Sequence, residues 1–106
     1  MNITKVQIHL NHGTTSKVKA WADIILDDEF IIKGLAIRED AREGYHFVTM
    51  PNKILKNSKN DEGVMLRQDI AHPIRESCRK YIEDEVIDEY EEVLNKIQEN
   101  RSTNAP

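Results

Sequence analysis

One cysteine, one tryptophan, three prolines and four glycines in 106 residues put several kinds of protein out of reach. With Cys78 alone, neither an intrachain disulfide nor a cysteine-built zinc site can form. Single, scattered glycines do not make the run of backbone N–H groups that cradles a phosphate. No His-Glu-x-x-His and no paired His/Cys spacing occurs. No apolar run approaches the roughly 20 residues that span a bilayer. The first ten residues, MNITKVQIHL, lack the unbroken apolar stretch of a secretory signal. A cytoplasmic protein without a membrane segment is expected.

Charge, by contrast, is plentiful. Charged residues make up 32% of the chain against 39% hydrophobic, and the net charge is −4. The length suits one domain with a modest core, which oligomerisation would help. The average charge hides a segregation. From Glu83 to Glu92 stand Glu83, Asp84, Glu85, Asp88, Glu89, Glu91 and Glu92 with no compensating base. Between Met50 and Lys80 stand Lys53, Lys56, Lys59, Arg67, Arg75, Arg79 and Lys80, opposed only by Asp61, Glu62, Asp69 and Glu76. A ligand senses charge within a Debye length of about 8 Å, so the local excess matters more than the total.

Hydrophobic period divides the chain in two. VQIHL alternates Val6, Ile8 and Leu10 against polar neighbours, the mark of a strand with one buried face. VKAWADIIL places Val18, Ala20, Ala22, Ile24 and Leu26 on one face, with Lys19, Trp21, Asp23 and Ile25 on the other. DDE (27–29) leads into FIIKGLAIR, EDAREG turns the chain again, YHFVTM is a fourth strand and VMLRQDI a short fifth. NKILKNSKNDEG shows no period and reads as a flexible loop. After Pro73, placed for the first helical position, Ile74, Cys78, Tyr81, Ile82, Val86, Tyr90, Val93, Leu94 and Ile97 recur at helical spacing. The fold class is therefore α+β: an antiparallel β-meander of about five strands followed by a C-terminal amphipathic helical region. Residues 1–98 form the domain and 99–106, without apolar anchors, a disordered tail.

Nothing in this pattern supports catalysis. His9, His12, His46 and His72 read as surface or structural residues, and Cys78 lies on the apolar stripe of the helix. Asp69 and His72 have no nucleophile beside them. Their expected role is local, the Asp accepting backbone N–H groups and the His capping the helix start. Trp21, Tyr45 and Phe47, few and set in strands, read as packing residues rather than a base-stacking platform. The expectation is a protein that is not an enzyme, with no cofactor, metal or small-molecule substrate.

Several segments, ITKVQI, ADIILDDEFIIKGLAI, FVTMPNK and RQDIAHPI, resemble the septation protein SpoVG family of bacteria across roughly residues 2–95. Met-Pro-x-Lys at Met50–Lys53 together with Asp-Ile-x-His-Pro-Ile at Asp69–Ile74 is the specific combination. The resemblance implies a homodimer that binds DNA or RNA, regulates gene expression and in some bacteria affects septation or sporulation. It also implies strand pairing between subunits and nucleic-acid contacts around the segment that here includes Lys53, with Arg67 matching a family arginine. Two departures stand out: Ile54 occupies the place of a second basic residue, and Gln68 is inserted before Asp69. Read from charge alone, Lys53, Lys56, Lys59, Arg67, Arg75 and Arg79 are the candidate phosphate contacts, converging on one rim with Asn52, Asn57 and Ser58 adding hydrogen bonds. The first strand, Ile3 to Leu10, has no proline and only Lys5 as a charge, so it is a poorly protected edge and the expected dimer seam. The competing expectation is a protein-interaction module that uses the acidic helix without binding nucleic acid.

Overall fold

The structure, a computed structural model, describes residues 2–11, 17–63 and 65–103; the side chains of 56–58 and 98–103 lie outside the description. His12, expected to be a surface or structural residue, falls outside it too.

Four strands form one antiparallel sheet in chain order: β1 (Ile3–Leu10), β2 (Val18–Leu26), β3 (Phe30–Glu39) and β4 (His46–Thr49). The period-2 reading of β2 holds, since Val18, Ala20, Ala22, Ile24 and Leu26 are all buried. Their cross-strand partners share that face: Ile8 and Leu35 flank Ala22, and Val6 and Ile32 flank Ile24. The β2–β3 connection is tight, with Asp27 and Asp28 at φ 52° and 57°. Two successive left-handed residues match the twist of a hairpin, and Asp tolerates that region better than most residues. The start of β1 clamps this turn, because Asn2 N–H donates to Asp27 Oδ1 at 3.1 Å and Asp27 N–H to the Asn2 carbonyl at 2.8 Å.

One helix is found among the described residues, α1 (Glu76–Thr103), and it crosses one face of the sheet. Ile82, Val86 and Tyr90 recur every fourth residue and bury themselves against Ile24, Leu35, Ile37 and Val48. Each such apolar side chain contributes about 1.5–3 kcal/mol on leaving water. Tyr81 adds a polar tether, its hydroxyl accepting the Ile3 N–H at 3.0 Å. The helix covers only one face, and among the described residues no other element packs on the opposite face of the sheet.

Four expectations about the second half of the chain are corrected. The segment expected to be a flexible loop contains a strand, β5 (Asn52–Lys59), which pairs antiparallel with β6 (Met65–Asp69) in a separate two-stranded sheet. The strands therefore number six among the described residues. Periodicity hid β5 because neither of its faces enters the core, so selection for alternation is absent. The helix starts at Glu76 rather than at Pro73. Ala71, His72 and Pro73 instead lie along an apolar cavity of about 120 Å³ with Leu26, Met50, Cys78 and Ile82. That packing holds the chain off the helical path for one more turn. Ile74, assigned to the apolar stripe, is 96% exposed. His72 does not cap the helix; its Nδ1 lies 3.1 Å from the Pro73 carbonyl oxygen. The helix continues to Thr103, into the stretch set apart from the sequence as a tail.

Candidate nucleic-acid interface

The β5–β6 hairpin stands away from the rest of the fold. Its contacts are almost wholly between its own two strands, and its base is closed by the Ile70 N–H donating to the Pro51 carbonyl at 2.7 Å. The tip is a turn in which Gly63 N–H donates to the Asn60 carbonyl at 3.0 Å and Glu62 N–H to Asn60 Oδ1 at 2.9 Å.

Four of the six expected cations lie on this ribbon. Lys53 is exposed opposite Gln68, Lys59 is exposed opposite Met65, and Arg67 is exposed opposite Ile54. Lys56 sits on the same strand, its side chain outside the description. Residues opposite one another share a face and neighbours along a strand alternate. Lys59 and Arg67 therefore share one face, and Lys53 projects from the other; the register shift between Ile54 and Lys59 carries Lys59 across. A single rim on the hairpin is thus not what forms; the ribbon is cationic on both faces. Arg67 is held in place, its Nη1 donating to Asn52 Oδ1 at 3.0 Å while Asn52 Nδ2 donates to the Met50 carbonyl at 2.9 Å. Asn52 is thereby a positioning group for Arg67, and the side chains of Asn57 and Ser58 lie outside the description.

Arg75 and Arg79 belong to a different element. Arg75 is exposed just before α1, and its carbonyl accepts the Arg79 N–H at 3.1 Å. Lys80 is spent on Asp84 at 3.9 Å, one turn along the helix.

The aromatic residues depart furthest from expectation. Trp21 is 45% exposed and Tyr45 53% exposed, so neither is a core packing residue. Tyr45 stacks obliquely on Phe47, with ring centroids 6.0 Å apart. Its hydroxyl bonds to the Asp40 carboxylate, and that bond, with the charge behind it, raises its pKa above 10. All three aromatics lie apart from the hairpin.

The acids of α1 form a feature of their own. Glu85, Asp88, Glu89, Glu91 and Glu92 line a groove of about 750 Å³ whose other wall is Ile3 to Val6 of β1. β1 is an edge of the sheet, so this carboxylate wall runs beside its outer backbone groups, of which the Ile3 N–H is taken by Tyr81. Among the described residues no His, Cys, Asp and Glu group together in a way that could hold a metal ion, and no helix is long and apolar enough to cross a membrane.

Comparison with known proteins converges on one family. The family model described as SpoVG matches residues 1–92. Proteins carrying the name septation protein SpoVG align over most of the chain. The one from Archaeoglobus fulgidus is 36% identical over 90 residues, 85% of this chain and 94% of its own. The one from Exiguobacterium sibiricum is 38% identical over 90 residues, 85% of this chain and 78% of its own. The one from Phytoplasma australiense is 32% identical over 101 residues, 95% of each chain.

Proposed function

We propose that this chain, which belongs to the SpoVG family, is a nucleic-acid-binding regulator of gene expression whose phosphate contacts are made by the β5–β6 hairpin, with consequences for septation or sporulation where its host carries out those processes. The observation that carries the reading is the hairpin itself: a ribbon free of the core, bearing Lys53, Lys56, Lys59 and Arg67. A strand pair that stabilises no core has no structural need of that charge. Cations on both faces suit a polyanion that passes over the ribbon's edge, and contacts to phosphates bind without reading sequence. Arg75 and Arg79 extend the cationic surface toward the helix start. The name of the relatives supports the septation link.

The test is the salt dependence of binding. Each phosphate contact releases counterions, so log K falls with log salt by about 0.7–0.9 per contact. Replacing Lys53, Lys56 and Lys59 together by Ala should weaken binding to oligonucleotides and reduce that slope by about 2 to 3 units. An unchanged slope moves the phosphate contacts off the hairpin.

A second reading has its own observation. The carboxylate wall beside the free β1 edge suits an extended basic peptide that adds as a strand and sets its cations on the helix. A protein that leaves a DNA or heparin column at very low salt and shifts no nucleic acid would favour this reading.

The cytoplasmic homodimer is likewise part of the proposal. The groove, however, argues against β1 as the seam, because pairing two β1 edges would bring two acidic helix flanks together. The hairpin offers the better edge, with Ile54, Met65, Leu66 and Ile70 exposed along it.

A further inference from the structure

The bare face of the four-stranded sheet is not featureless. Register places His9, Trp21, Ala36 and Thr49 in one continuous row across β1, β2, β3 and β4. The next row toward one end pairs Arg38 with Phe47. Rows toward the other end pair Gln7 with Asp23, and then Lys5, Ile25 and Ile31. In the central row the small Ala36 separates the indole of Trp21 from the β4 strand that carries Phe47, and Tyr45 leans on Phe47 at the rim. Arg38 on β3 is the cation beside the rings, and Lys5 stands at the β1 edge, where it also borders the acidic groove. The one carboxylate of these rows, Asp23, is already engaged. Its Oδ2 lies 3.1 Å from His9 Nε2, and its Oδ1 accepts the Gly34 N–H at 3.3 Å where the β3 strand bulges. That bulge depends on Gly34, whose φ of +87° suits a residue without Cβ.

Two further details single out this face. Arg38 Nε and Thr49 Oγ1 are shielded from solvent and have no hydrogen-bond partner among the described residues. Both stand in the rows with Phe47 and Ala36. Buried polar atoms without partners are uncommon, and a site filled by a ligand is one setting in which they occur. The acids of α1 belong to the element packed on the other face, away from Trp21 and Arg38.

We infer that this face is a stacking surface for single-stranded nucleic acid, with Trp21 and Phe47 as the ring platforms, Arg38 beside them for the phosphates and Lys5 at the edge where the strand would enter. The inference rests on the proposed nucleic-acid function and specifies its ligand. Aromatic rings can stack on bases only when those bases are unpaired, whereas cations on a ribbon contact the phosphates of any strand. The two surfaces are joined by Met50 and Pro51, which link Thr49 at the end of β4 to Asn52 at the start of β5. A strand laid across the sheet thus leaves it beside the cationic ribbon.

The chain has a single tryptophan, so the platform reports on itself. Titration of the wild type with oligothymidylate should quench the Trp21 emission saturably. A duplex of equal length and heparin should bind through the hairpin with little quenching. Trp21→Ala should lower affinity for the single strand by about tenfold, within the range of one lost base stack, and leave duplex and heparin binding unchanged. Phe47→Leu, measured by anisotropy of a labelled oligonucleotide, should show the same selectivity. Circular dichroism confirms that both variants keep the fold. Single-strand binding without quenching, and with equal affinity in Trp21→Ala, would overturn the platform while leaving the hairpin proposal standing. Quenching that depends on protein concentration in the absence of oligonucleotide would also overturn it, by assigning the face to a second copy. No binding to any nucleic acid would remove both proposals.

Discussion

Tyr90 shows how much one residue on the helix must reconcile. Its ring is buried in the core and meets His46 edge-on, with centroids 5.3 Å apart. Burial first, and the nearby Glu39 charge second, raise its pKa above the ordinary 10.0. The folded state therefore holds the phenol proton more tightly than the unfolded chain. The stability this gives is fully present below pH 10 and is lost as the pH rises through the folded pKa. Urea midpoints measured from pH 7 to 11 should fall above pH 10 for the wild type and fall less for Tyr90→Phe. Equal alkaline loss in Tyr90→Phe would show that another group governs it. Trp21 teaches a different lesson. Alternation correctly placed it on the face away from Ala20, Ala22 and Ile24, but its role as packing did not follow. The signal was present: one amphipathic helix covers one face of a sheet, so the other face of β2 had to meet solvent.

Among the elements, those that enter the core were legible and those that do not were hidden. β1 to β4 and the stripe of α1 announce themselves because each must bury one face, and that requirement writes its period into the chain. β5 carries no such requirement, and its Lys, Asn and Ser residues are indistinguishable from a loop by composition. The helix start was misplaced by three residues because Pro73 is as compatible with an extended segment as with a first turn. The candidate cations were legible as a cluster along the chain, yet their division between two faces of the ribbon depends on a register shift that no local pattern encodes. An isolated two-stranded ribbon is marginal in water, so the proposed dimer would gain most by sharing its edge. Light scattering on Gln7→Pro, which removes a donor from the β1 edge, should leave a dimer. Leu66→Asp on the hairpin should give monomer. The reverse result would return the seam to β1.

At the scale of the molecule the governing fact is that charge is sorted by element. A net charge of −4 would repel a polyanion, but the acids concentrate on α1 from Glu83 onward, whereas Lys53, Lys56, Lys59 and Arg67 stand on the separate β5–β6 hairpin. At physiological salt the Debye length of about 8 Å is shorter than the thickness of a helix packed on a sheet. Glu89→Gln with Glu92→Gln should therefore leave oligonucleotide affinity unchanged, or raise it by less than about threefold, at 150 mM salt. The difference should widen as salt is lowered and screening lengthens. A large gain already at 150 mM would place the polyanion near the helix.

The separateness of the hairpin also sets how the chain opens. Because β5 and β6 hold mainly each other, they can part without disturbing Val86 or Ile24, so their amides belong to a unit that opens at far smaller free energy than the sheet. A bound strand or a second subunit that fixes the ribbon must first supply that ordering. Occupancy of the hairpin is thereby written into its own amide-exchange rates, while those of the core stay as they were.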